Sequence, residues 1–163
     1  MRTRLIAALV SALVLAGGVV GLGGSPVDAR AAHGPATFAA GVVRLDGSQE
    51  VPPADPDGRG TLAFLAVHDR FCYVLTARRI QPAAAAHIHA APRGVNGGIV
   101  VGLTPPTNGF SADCVMAQPD TTPNSPDVLL QSELNAIIAD PTQFYANVHN
   151  AEFVNGAIRG QLR

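Results

Sequence analysis

The chain has 163 residues, 47% hydrophobic and only 14% charged, with 11 basic residues, all Arg, against 12 acids for a net charge of −1. So small and slightly acidic a balance excludes nucleic-acid binding through a basic surface, which needs clustered cations to displace counterions from phosphate. The mean hydropathy of +0.22 is raised by one N-terminal apolar run and does not mark the whole chain as membrane-embedded.

That run opens the chain. Arg2 and Arg4 precede an uncharged apolar stretch from Leu5 to Leu22, and Ala29-Arg30-Ala31 has the small-x-small form of a signal-peptidase site. The pattern predicts an export signal over residues 1–31, a linker over 32–36 and one domain over 37–163. An uncleaved anchor is the competing reading, because 18 residues just reach spanning length. Five glycines between residues 17 and 24 weaken such a helix, and a cleavage site follows it. The 132 residues left after cleavage suffice for one domain with a core, and they carry eight Arg against eleven acids, a net of −3. Neither nucleic acid nor membrane is expected as a partner of the mature domain.

From Thr37 onward short β-type runs are punctuated by Gly, Pro, Asn and Asp. Strands are predicted at 38–45, 61–67, 71–77, 85–89, 99–103, 145–149 and 157–162, and His68-Asp69-Arg70 reads as a hairpin tip. Residues 46–60 form a turn-rich segment, and the Pro-, Thr- and Asn-rich stretch 104–124 reads as a long surface excursion. One helix is inserted, with Ser125 as cap, Pro126 at its first position, Leu130, Leu134, Ile137 and Ile138 as its apolar stripe, and Asp140-Pro141 as its stop. Seven short strands in one domain indicate an all-β sandwich or barrel.

Cys72 and Cys114 are the only cysteines, an even pair in a chain with an export signal, and a disulfide between them is expected. It would tie the 104–124 excursion to the sheet.

Two short runs concentrate the chemistry: Ala86-His87-Ile88-His89 and Tyr145-Ala146-Asn147-Val148-His149. Alternate residues of a strand share a face, so His87 and His89 project together while Ile88 points to the core, and His149 shares a face with Asn147 and Tyr145. If the two strands meet, three imidazoles converge just outside the core. Imidazole suits copper and zinc, and three such ligands leave a fourth position open. Each ligand ring also needs its second nitrogen held by an acceptor, for which Asn147, Asn150, Glu152 and backbone carbonyls are available. The alternative is that these histidines only bond strands to loops. His68 at the hairpin tip and His33 near the mature N-terminus carry less weight.

Gly47-Ser48-Gln49-Glu50-Val51-Pro52-Pro53, Ala86-His87-Ile88-His89, Gly94-Val95-Asn96-Gly97, Asn147-Val148-His149 and Gly156-Ala157-Ile158-Arg159-Gly160-Gln161-Leu162 together resemble the CHRD domain, named for its occurrence in chordin and widespread in exported bacterial proteins. The motifs span residues 38–163. The resemblance implies an immunoglobulin-like Greek-key β-sandwich but no activity, since the cysteine-rich modules credited with growth-factor binding in chordin have no counterpart here. Glu50 and Arg159 each lie in a motif among residues expected to be buried, and a bidentate carboxylate–guanidinium pair between them would explain both.

More distantly, the histidine runs are similar to the copper half of the Cu,Zn superoxide dismutase site. His87 and His89 match its paired copper ligands and His149 the one contributed late in the chain. The bridging histidine and the zinc loop have no match. The sequence therefore reads as a secreted or cell-surface binding domain, with a copper or zinc site at His87, His89 and His149. A metal-free module contacting an extracellular ligand through loops 90–98 and 150–156 is the second reading, and a copper-only dismutase-like enzyme ranks last.

Overall fold

Alternation decides the strands. In the computed structural model, which describes residues 36–163, Phe71, Tyr73, Leu75 and Ala77 point inward while Cys72, Val74 and Thr76 between them face outward. The elements in chain order are β1 (Phe38–Asp46), β2 (Arg59–Val67), β3 (Arg70–Arg78), β4 (Ala83–Ala90), β5 (Gly98–Leu103), β6 (Phe110–Met116), α1 (Gln131–Ala139), β7 (Phe144–Asn150) and β8 (Ile158–Gln161). The predicted signal and nearly all of the predicted linker lie outside the described residues. Among those described, no helix is long and apolar enough to cross a membrane.

All eight strands join one antiparallel sheet in the order β5-β4-β7-β8-β1-β2-β3-β6. Its middle is pinched: β1 and β8 share the single pair Asp46 and Arg159, whereas β1 and β2 pair along their whole length. Its outer edges meet instead through side chains just beyond β5. The Ser111 hydroxyl of β6 donates to the Thr104 carbonyl at 2.7 Å, and the Thr104 N–H donates to the Tyr73 hydroxyl at 2.7 Å. The sheet is thereby nearly closed around one core, to which α1 adds Leu134, Ile137 and Ile138.

Two expectations are corrected. Residues 110–116, expected within a surface excursion, form β6, paired to β3 from Arg70–Met116 to Thr76–Phe110. This strand has a backbone ladder on one side only and exposes Phe110, Asp113, Cys114 and Met116, so it lacks the clean alternation that announces a strand. The helix starts at Gln131 and not after Ser125. The Pro126 carbonyl accepts the Gly102 N–H at 2.6 Å, the Val128 N–H closes a turn on the Ser125 carbonyl at 3.0 Å, and Gln118 bonds the backbone of Leu129 and Gln131, so residues 126–130 are held outside the helix. Glu133 then accepts the Leu130 N–H at 2.9 Å and opens the helix one turn later than Ser125 and Pro126 suggest.

The expected disulfide is present. Cys72 and Cys114 lie opposite one another on β3 and β6, outside the core, and close a 42-residue separation. Replacing both by Ser is expected to lower the unfolding free energy by about 3 to 4 kcal/mol in denaturant titrations. Amide exchange should quicken first in β6, the strand this bond fastens at the edge of the sheet.

Candidate metal centre

The site is built by register. On β4, Ile88 and Ala86 are buried in the core and His87 and His89 take the outer face; on β7, Val148 and Ala146 are buried and Tyr145, Asn147 and His149 take it. Pairing sets His87 beside Asn147 and His89 beside Tyr145, and β8 extends the two rows with Arg159 and Gln161. Irregularities in pairing flank the trio. Val100 of β5 is an extra residue beside His89, and Ala84 of β4 is an extra residue beside His149. Such bulges bend a strand and re-aim its side chains.

The three imidazoles meet as the spacing predicts, each offering a ring nitrogen within 4.8 Å of the others. His87 Nδ1 is 3.0 Å from His149 Nε2, and the Asn147 side chain is also 3.0 Å from that nitrogen. The remaining nitrogens of two rings are held by loop carbonyls. His149 Nδ1–H donates to Val154 at 2.9 Å, and His89 Nδ1–H donates to Gly97 at 3.0 Å. These bonds select the tautomers that leave a lone pair on each Nε2, and that of His149 faces His87 Nδ1. His89 Nε2 is buried and has no hydrogen-bond partner. Of the acceptors considered from sequence, backbone carbonyls serve this purpose; Asn150 instead caps the turn by accepting from Glu152 and Phe153 N–H.

Two glycines let the loops come this close. A side chain at Gly97 would strike the Ala90 carbonyl, and one at Gly156, whose φ is +130°, would strike the Glu50 carboxyl. Any other residue at either place would push away a loop that holds an imidazole or packs on Glu50.

Burial sets the charge state. It holds His87 down to about 4, helped by repulsion from His149 and His89, and it lowers His89 and His149 as well. All three rings are neutral near pH 7, the form in which imidazole donates a lone pair to a cation. Two nitrogens about 2.0 to 2.1 Å from one ion are at most about 4.2 Å apart, and about 3.4 Å apart in a tetrahedral site, so at its widest the trio needs to contract by about 0.6 Å at least and by about 1.4 Å for tetrahedral geometry.

Glu50 and Arg159 are both buried, as expected, but they do not form the expected bidentate pair. The sole ion pair among the described residues is Arg70 with Asp69. Arg159 is claimed by the loop over the site: its guanidinium donates to Val95 O at 2.8 Å, Asn96 Oδ1 at 3.2 Å and Pro92 O at 3.3 Å, and lies 3.3 Å from the centre of the Tyr145 ring. Glu50 Oε1 is left without a partner. Burial pushes its carboxyl up to about 7 against the opposing pull of the Arg159 charge and the Asn147 amide. Tyr145, which the sequence places on the face of His149 without a role, stacks on His89 with ring centres 4.7 Å apart and planes 4° from parallel. Its place two residues before Asn147 on the same strand face was the available signal. His68 sits at the hairpin tip with φ of 54°, away from the trio.

The family model for the CHRD domain matches residues 42–162. No curated protein and no solved structure matches the chain.

The buried carboxyl has a signed consequence. With a folded value near 7 and an ordinary value of 4.5, Glu50 keeps its proton in the folded state where the unfolded chain has released it. Its contribution therefore falls as pH rises from 4.5 through 7. Glu50→Gln should gain stability relative to the native protein between pH 5 and pH 8, read as a difference in denaturant midpoint. A difference independent of pH would show that this carboxyl titrates normally.

Proposed function

The chain belongs to the CHRD family, and from that premise we propose that it is an exported binding domain whose three-histidine cluster holds a single copper or zinc ion. The observation that carries this reading is His89 Nε2, a buried lone pair without a partner whose ring is already oriented by the Gly97 carbonyl. An unpaired buried polar atom costs roughly 1 to 3 kcal/mol, so a fold that retains one invites a functional explanation. His149, held the same way by Val154, and His87 complete the set. Only neutral nitrogen ligands are offered, which suits copper and zinc and disfavours calcium or magnesium, whose sites are built from oxygen.

Export is supported by the N-terminal sequence pattern and by the disulfide, which persists in oxidising compartments. In the same reading, the pinch between β8 and β1 divides the sheet into the two four-stranded leaves of an immunoglobulin-like Greek-key sandwich, with α1 inserted between β6 and β7. Turnover of an anion such as superoxide ranks lower. The cavity of about 420 Å³ that reaches His87 is also lined by Asp113 and Asp127, whose charge repels anions from that side.

One observation favours the metal-free reading: Val95 and Val154, on the two loops that cover the trio, are 49% and 70% exposed. They would serve a contact surface for an extracellular ligand. Elemental analysis of the full chain after export separates the two. One copper or zinc per chain is expected, with affinity at least roughly a hundredfold weaker in a His87→Ala, His89→Ala double variant of unchanged circular dichroism. Native protein that stays metal-free in excess cupric or zinc sulfate would remove the metal site and leave the contact surface.

A further inference from the structure

Arg159 is the largest fully buried side chain among the described residues, 1% exposed, on the outer face of a sheet where a charged residue ordinarily points to water. Its four-sided confinement is unusual. Three loop oxygens fix the guanidinium edge, and its face lies on Tyr145. Because β7 runs between β4 and β8, the opposite face of Tyr145 is the one that stacks on His89. Guanidinium, phenol ring and imidazole thus form one column that ends on a candidate ligand.

A fixed positive charge in so dry a place acts on any ion held by that imidazole. It raises the energy of a doubly charged ion more than that of a singly charged one, and the low local dielectric leaves the difference poorly screened. Other charges bear on the same region. Glu50 opposes Arg159 from the turn after β1, Arg93 adds to it from the covering loop, and Asp127 acts on His87 from the segment before α1. Arg93 is exposed and so is screened by water, whereas Arg159 is enclosed and stacked in line with His89.

We infer that Tyr145 and Arg159 are positioning residues that bias the three-histidine site toward cuprous rather than cupric copper, with the guanidinium charge delivered to His89 through the stacked Tyr145 ring. This rests on the metal-site reading above. Reduction adds one electron to the copper, supplied in the measurement by an electrode, and no protein bond forms or breaks.

The test is the midpoint potential of the full chain loaded with cupric sulfate, measured spectroelectrochemically at pH 8. Arg159→Gln is expected to lower the preference for cuprous over cupric ion about tenfold, a fall of about 59 mV for a one-electron couple. Arg159→Lys, which keeps the charge, should recover part of that fall. Tyr145→Phe, which keeps the ring, should stay near the native midpoint. If Arg159→Gln does not fold, Tyr145→Leu replaces it, since losing the ring on which both neighbours stack should move the midpoint the same way. A folded, copper-loaded Arg159→Gln or Tyr145→Leu protein with the native midpoint overturns the inference while leaving the site intact. Native protein that binds no copper fails at the earlier step.

Discussion

The register between β4 and β7 is the constraint on which the site depends. Ile88 and Val148 are wholly buried, and their burial commits the intervening residues to the outer face, so the core decides where the imidazoles go. A slip of one residue in either strand would bring histidines into the core and expose isoleucine or valine, at a cost of several buried side chains at about 1.5 to 3 kcal/mol each. The trio is therefore placed by core burial on the opposite face of its own strands. The bulges at Val100 and Ala84 make the finer adjustment that brings the rings from separate strand positions toward one point.

Around that point the structure holds the ring N–H groups of His89 and His149 with neutral oxygens rather than carboxylates. Loops 91–97 and 151–156 cover the rings, and their carbonyls are neutral partners for ring N–H groups. The result is a cluster whose proton affinity is low and whose lone pairs are already aimed. Arg159 and Glu50 illustrate the same principle one layer out. Each is buried without the other as a direct partner, the cation satisfied by loop oxygens and the acid driven toward its protonated form. A bidentate pair would have neutralised both. Keeping them apart leaves a net field at the centre of the sheet.

Much of this was legible in the residues. Short β-type runs bounded by turn residues located seven of the eight strands to within two residues at each end, and alternation within a strand placed His87, His89 and His149 on one face. The cysteine pair was legible because only one pairing is possible. What escaped was whatever depends on contacts distant in sequence. β6 is a strand because β3 and the disulfide make it one, not because its own pattern says so. The helix boundary moved because Gly102 captured the Pro126 carbonyl. Pairing Glu50 with Arg159 followed from their opposite charge and shared burial. The competing partners were main-chain oxygens of a loop, which carry no signature in a list of side chains.

That last point extends to the rings. The groups that orient His89 and His149 are the carbonyls of Gly97 and Val154, and a carbonyl is the same atom pair whatever residue bears it. Valine at position 154 can be exchanged freely so long as the backbone path is kept, whereas Gly97 and Gly156 cannot, since they are what permit that path. The rim of the cluster is thus free to diversify in shape and polarity while its inner geometry stays constant, a division of labour that lets one scaffold present different faces to different surroundings.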